Sequence, residues 1–204
     1  MNYNKRTLLA AAAASVITLA ASSAATIVNS NFEGGLTGWT VTGDWGIQPG
    51  GGSVGPTPWG WFSGGAADGV SYAECGLNGN ESTGTLLSSI ITADDQYLSF
   101  WHASNIEGHS IQIARIYDDN MTLLGSVAPI GGNDSVWREW TIDLGALGLQ
   151  EGDQFYFAYE QVQGWAVIDN VSTSGPALPV PEPGSLALGA LCAGAAFLRR
   201  RRGA

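Results

Sequence analysis

Residues 154–160, "QFYFAYE", decide the fold, because Phe155, Phe157 and Tyr159 occupy every second position. Successive side chains of a β-strand point to opposite faces of a sheet, so this spacing predicts a strand with one aromatic face. Seven other short stretches, separated by Gly, Asn and Asp turns, are β-branched or alternate in the same way. They are residues 69–75, 85–91, 97–102, 111–117, 122–127, 137–143 and 165–172.

The body between the two ends of the chain contains no sustained helical repeat. Eight or nine strands within about 150 residues suit two packed antiparallel sheets. We therefore predict an all-β antiparallel sandwich. Core packing is expected for the tryptophans within strand patterns, Trp39, Trp101, Trp140 and Trp165.

The two ends of the chain differ from this body in composition. Residues 1–25 place Lys5 and Arg6 before an apolar run and a small-residue zone, which is typical of a cleaved signal peptide. Residues 186–198 are apolar or small throughout, and Arg199, Arg200, Arg201 and Arg202 follow at once. A spanning helix needs about 20 residues, so this single hydrophobic helix would be a marginal one. We interpret it as a membrane tether or a processing signal, with its arginines on the cytoplasmic side.

The C-terminal segment resembles a PEP-CTERM sorting tail. The resemblance rests on Pro181, Glu182 and Pro183 of "VPEP", the apolar stretch after them and the final arginine cluster. It implies export through the Sec machinery, transient anchoring in the bacterial inner membrane, and recognition of the motif by a membrane-embedded exosortase. The body would then reach the cell surface or an extracellular matrix rich in exopolysaccharide.

These assignments divide the chain into a signal peptide (1–25), a sandwich domain (26–175), a linker with the PEP motif (176–183) and a hydrophobic, Arg-rich tail (184–204). The sandwich domain holds 17 acidic residues against Arg115 and Arg138, a net charge of −15. Such a surface repels nucleic acid and anionic lipid headgroups. It suits divalent cations or neutral glycans, and charge alone does not choose between them.

Two stretches of the body carry a second resemblance. "IVNSNFEGGLTGW" at 27–39 and "GWAVIDNVSTS" at 164–174 resemble the opening and closing strands of galactose-binding-like jelly rolls and carbohydrate-binding modules. The resemblance implies a structural Ca²⁺ held by Glu33 and Asp169, with Asp68 or Glu74 as a third acid. Ca²⁺ takes six to eight oxygen ligands. In the alternative interpretation, Glu33 and Asp169 only accept hydrogen bonds from strand-end amides.

Residues 43–65 hold nine glycines, three prolines and three tryptophans, which predicts a long loop. Its aromatic residues are candidates for stacking on sugar rings or contacting a protein, because exposed tryptophans usually pack or bind something. These candidates are Trp45, Trp59, Trp61 and Phe62. Alternatively, the loop folds back and covers an open sheet face with these rings.

No recognisable catalytic motif is present, whether a nucleophile elbow, a His-Glu-x-x-His zinc motif or a phosphate-binding loop. His102 and His109 are not spaced as a metal pair, and Cys75 is expected to be a small buried residue. We therefore predict a non-enzyme whose body binds or associates with polysaccharide. The alternatives are a structural or adhesive exoprotein without a defined ligand, and a secreted glycan hydrolase.

Overall fold

The computed structural model describes residues 26–49, 65–76, 81–104, 110–128 and 136–179. The predicted signal peptide, the PEP motif, the hydrophobic tail and the arginine cluster lie outside these residues. The same is true of Trp59, Trp61, Phe62 and His109.

The described residues form a sandwich of two antiparallel sheets, which confirms the predicted fold. Sheet A consists of β1 (Trp39–Gly43), β4 (Gly84–Ser88), β5 (Ile91–Thr92), β7 (Ile111–Asp118), β8 (Leu123–Val127) and β10 (Gln154–Gln163). Its strand order is β1-β4-β10-β7-β8, with β5 paired to β10. Sheet B consists of β2 (Trp45–Pro49), β3 (Ser71–Cys75), β6 (Asp95–Ser104), β9 (Arg138–Asp143) and β11 (Ala166–Ala177), in the order β2-β3-β11-β6-β9.

Strand β10 shows why the sequence pattern predicted this architecture. Phe155, Phe157 and Tyr159 are fully buried between the sheets, whereas Tyr156 on the alternate phase is partly exposed. The Phe157 ring packs against Phe100 of β6, with ring centroids 5.3 Å apart. Because the two strands belong to different sheets, this aromatic contact holds the layers together.

Strand β2 corrects one expectation, since residues 45–49 were predicted to belong to a long glycine-rich loop. They pair with β3 instead, Trp45 opposite Cys75 and Ile47 opposite Ala73. Gly43 has a φ of 74°, and a Cβ there would lie 2.1 Å from the carbonyl oxygen of Thr83. The glycine therefore permits the sharp corner at which the chain leaves sheet A and enters sheet B.

The segment before β1 is a second difference, because residues 27–38 form turns and no opening strand. Asn29 organises these turns: its Oδ1 accepts a hydrogen bond from Gly34 N at 2.8 Å, and its Nδ2 donates to Gly35 O at 2.7 Å. Phe32 is buried beside Trp39, with ring centroids 5.1 Å apart. The motif resembling a first strand is thus a side-chain-stabilised turn anchored in the core.

The end of the sandwich lies slightly beyond the predicted boundary at residue 175. Strand β11 continues to Ala177, and Leu178 is buried in the main core. Leu178 N also donates to Asp94 O at 2.9 Å. The first residues of the predicted linker therefore belong to the folded domain.

Candidate functional site

The outward side of sheet A presents a surface that we call the open face. It is formed by the strand residues that alternate with core residues on β4, β7 and β10. On β7, Arg115 and Tyr117 alternate with buried Ala114 and Ile116. No hydrophobic cluster forms over this surface among the described residues, and its larger side chains remain partly exposed.

Two tyrosines lie side by side on the open face. Tyr117 of β7 is the register partner of Tyr156 of β10. Directly opposed residues of an antiparallel pair have Cβ atoms about 4.5–5.5 Å apart. The two partly exposed side chains are therefore neighbours on this surface, and we call them the aromatic patch.

An ion pair borders this aromatic patch. Arg115 Nε donates to Glu160 Oε2 at 2.9 Å, and a second guanidinium nitrogen lies 2.7 Å from the same oxygen. Both side chains are about one-quarter to one-third exposed, at 26% and 33%. Since only two basic residues occur in the body, this pair places one of them beside the tyrosines, with donors and an acceptor in fixed positions.

The outward side of sheet B, which we call the covered face, is different. Tyr72, Ala103, Trp165 and Val167 are buried there in a second hydrophobic cluster, against which Ala66 and Trp137 pack. Trp137 Nε1 donates to Gly65 O at 2.7 Å. Burial, reinforced by the negative charge of Glu74, raises the pKa of Tyr72 to about 12. Tyr72 and Trp165 are therefore part of the folded interior, whereas Tyr97 and Trp101 of β6 remain partly exposed.

Two carboxylates attach the segment at residues 65–71 to the rest of the domain. Glu33 Oε1 accepts from Val70 N at 2.6 Å and from Ser71 N at 2.7 Å. Asp169 Oδ2 accepts from Asp68 N at 2.9 Å. Burial raises the pKa of Asp169 to about 6, although hydrogen bonds from backbone amides oppose that shift. This is the arrangement described by the alternative interpretation, in which the two carboxylates accept hydrogen bonds from backbone amides.

The predicted calcium site rests on the same two carboxylates. The groups that approach them here are backbone N–H donors, which cannot ligate a cation. Asp68 has an exposed side chain, and Glu74 Oε1 accepts a hydrogen bond from Trp165 Nε1 at 2.5 Å. Within the described ranges, no group of three or more His, Cys, Asp or Glu residues could hold a metal ion. Calcium at Glu33 and Asp169 stays a prediction.

Trp45 is the one predicted stacking residue that the structure describes. It is only 6% exposed and lies in the main core, where its ring meets Tyr159 edge-on at 5.7 Å. This position leaves no ring face for a ligand. The ring packs between the two sheets from strand β2, so Trp45 belongs neither to an exposed loop nor to a loop that covers a sheet face.

Two potentially reactive groups of the body, Cys75 and His102, are buried. Cys75 is fully buried, as predicted, and burial raises its thiol pKa to about 12, so the nucleophilic thiolate is suppressed. His102 is a strand residue, also as predicted, and is fully buried beside Tyr159. Neither group presents chemistry at the surface.

The sequence interpretation missed Tyr117, Tyr156 and Glu160 as surface candidates. The sequence did contain a signal for Tyr156, because residues that alternate with core residues on a strand face outward. Since Phe155 and Phe157 face inward, Tyr156 must face outward. What the pattern could not give was the pairing of β7 with β10 that brings Tyr117 beside Tyr156.

Comparison with known proteins identifies the C-terminal segment, since residues 179–202 match the PEP-CTERM protein-sorting motif. That motif indicates an exported protein. The part of the chain that the structure describes includes no helix long and apolar enough to cross a membrane. None of the curated proteins matches the chain.

Solved structures resemble the body in fold. One is TmCBM61, solved in complex with beta-1,4-galactotriose, at 17% identity and a TM-score of 0.51 over 73% of this chain and 97% of that one. Another is the K2 cleaved adhesin domain of Lys-gingipain, at 16% identity and a TM-score of 0.50 over 74% and 99%. The body thus has the β-sandwich fold found in carbohydrate-binding modules and in adhesin domains.

Proposed function

We propose that this exported protein is a non-catalytic module that binds neutral polysaccharide on the open face of sheet A. The carrying observation is the pair of adjacent, partly exposed tyrosines, Tyr117 and Tyr156, beside the Arg115–Glu160 ion pair. Sugar rings present flat C–H surfaces that stack on aromatic rings. Their hydroxyls can accept from the guanidinium and donate to the carboxylate.

Charge supports the choice of a neutral ligand. The body has a net charge of −15, and its acidic surface disfavours approach of a polyanion. Binding of this kind requires no catalytic pocket, because a sugar can stack and form hydrogen bonds on an exposed sheet surface. The fold shared with TmCBM61 supports β-1,4-galactotriose and related neutral oligosaccharides as first probes.

The test is calorimetric titration of the purified full chain with neutral oligosaccharides and with one anionic polysaccharide. We expect measurable binding only to neutral ligands. Tyr156→Ala and Tyr117→Ala should each weaken that affinity by roughly 3- to 10-fold, through loss of a stacking ring.

Tyr97→Ala is the matched control, because Tyr97 is also partly exposed but lies on β6 of the opposite sheet. Its affinity should equal that of the wild type. Lack of binding across the panel would support the structural or adhesive alternative. Cleavage of any glycan by the purified protein would support the hydrolase alternative.

We also propose that the tail is processed near Pro181, Glu182 and Pro183 by an exosortase-type enzyme after transient membrane anchoring. The sorting motif at residues 179–202 supports this route. Mass spectrometry of the cell-surface form should find a C-terminus close to this triplet. A surface form that retains Arg199 to Arg202 would contradict processing.

A further inference from the structure

The core changes character along the facing strands β6 and β10. Phe157 meets Phe100 across the sandwich, and two residues further on Tyr159 OH is hydrogen-bonded to His102 Nδ1. Because inward side chains recur every second residue, the same step brings Gln161 and Ser104 to the next layer. The interior thus goes from aromatic to polar towards this end of the domain.

A third side chain joins that layer. Gln112 of β7 is the register partner of Gln161 in sheet A and is also buried. We call Ser104, Gln112 and Gln161 the polar layer. Their exposed fractions are 1%, 2% and 1%, so none of them reaches bulk solvent.

Each member of the polar layer has a side-chain atom for which the described part of the chain supplies no hydrogen-bond partner. These atoms are Ser104 Oγ, Gln112 Nε2 and Gln161 Oε1. The orientation of Gln161 is fixed from its other end, because its Nε2 donates to Gln163 O. Buried polar atoms usually have a hydrogen-bond partner, which can be ordered water. Nine buried side-chain atoms of the described residues lack one, and three of the nine belong to this one layer.

The chemistry of the three atoms defines that group. Gln112 Nε2 is a donor, Gln161 Oε1 is an acceptor, and Ser104 Oγ is both. None carries a formal charge, and neighbouring His102 is neutral because burial, together with the positive charge of Arg138, lowers its pKa to about 3. A hydroxyl group donates one hydrogen bond and accepts two, which matches this set.

We propose that the polar layer is an internal binding site for neutral hydroxyl groups. The hydroxyl accepts from Gln112, donates to Gln161 and is hydrogen-bonded to Ser104. Its source is either ordered water or a small polyol. The site lies between the sheets and is separate from the open face.

The first test is the sign of the stability change in Ser104→Ala. With a bound hydroxyl, the variant loses a hydrogen bond and its Tm falls by about 2–4 °C. Without one, the variant removes a buried orphaned hydroxyl, and its Tm stays the same or rises, which overturns the proposal. Ser88→Ala is the matched control, because Ser88 Oγ accepts from Phe157 N at 3.0 Å and must lower Tm.

The second test separates the sources and uses the folded wild-type protein, so it stands even if a variant misfolds. In NMR of labelled protein, cross-relaxation between the Gln112 side-chain amide and a long-lived water identifies water as the resident ligand. A shift of that amide on titration with glycerol or galactose identifies a polyol. The absence of both signals overturns the proposal.

Discussion

The two outward faces of the sandwich both carry aromatic residues, but these residues differ in their exposure to solvent. The open face of sheet A has Tyr117 and Tyr156 partly exposed. The covered face of sheet B has Tyr72 and Trp165 buried, at 1% and 4% exposure. Ala66 and Trp137 pack against the buried cluster on sheet B, and the carboxylates of Glu33 and Asp169 hold the backbone of residues 68–71.

This difference shows that an outward strand position is not the same as a surface position. Tyr72 and Tyr156 are both out of phase with the main core, yet only one of them can meet a ligand. The attachment is long-range: Glu33 bonds Val70 from 37 residues away, and Asp169 bonds Asp68 from 101 residues away. Such contacts fix the backbone next to Tyr72, which is buried in the second hydrophobic cluster.

The largest expected effect compares the same substitution on the two faces. Tyr72→Ala should lower the free energy of unfolding by about 3–5 kcal/mol, because it empties a buried aromatic site. Tyr156→Ala should cost about 1 kcal/mol or less, since it removes only a cross-strand surface contact. Urea unfolding measures both losses in free energy, provided that the m-value is the same for the variants and the wild type. Equal losses would contradict the distinction between the covered and the open face.

A smaller effect is expected from the attachment of residues 65–71. Asp169→Ala removes the acceptor of two part-buried backbone N–H groups, those of Asp68 and Asn170, and should cost about 1–2 kcal/mol. The control is Asp119→Ala in an exposed turn, which should change stability by about 0.5 kcal/mol or less.

The wild type and the Asp169→Ala variant also test whether calcium binds at this site. If Asp169 ligates a cation, a chelator lowers the Tm of the wild type and leaves Asp169→Ala unchanged. A wild-type melt that does not respond to chelation would leave the backbone amides as the partners of Glu33 and Asp169.

The smallest effect concerns pH and the buried carboxyl of the covered face. Burial raises the pKa of Glu74 above its ordinary value of 4.5, so the folded state holds its proton to higher pH than the unfolded state does. Stability contributed by this group is therefore complete below pH 4.5 and is lost as pH rises through the folded-state pKa. Glu74→Gln, whose side-chain oxygen still accepts from Trp165, should gain stability relative to the wild type as pH rises above 4.5. A difference independent of pH would show that Glu74 is not buried as a carboxyl group.

Most strands could be predicted because their signal is local. All eight predicted stretches contain a strand, from β3 to β11, and Phe155, Phe157 and Tyr159 lie on the buried phase. β2 was not predicted because the surrounding glycines and prolines are typical of a loop, and the alternation of Trp45 and Ile47 is short. The strand conformation of these residues depends on their pairing with β3.

The candidate site was harder to predict than the fold. Trp45 lies in a glycine-rich stretch, which suggested exposure, but its ring is enclosed by the two sheets. Tyr117 and Tyr156 are 39 residues apart in the sequence and become neighbours only through the pairing of β7 with β10. Neither residue stands out in the linear sequence.

The sequence by itself determined the β-sandwich, the acidic body and the sorting motif at the C-terminus, because periodicity, charge and short motifs are properties of neighbouring residues. Only the tertiary structure decided which outward face is open, which is covered, and where polar groups meet inside the core. The physical reason is that a period of two assigns a side chain to one side of its strand. Whether that side is exposed to solvent depends on whether chain segments distant in the sequence pack against it.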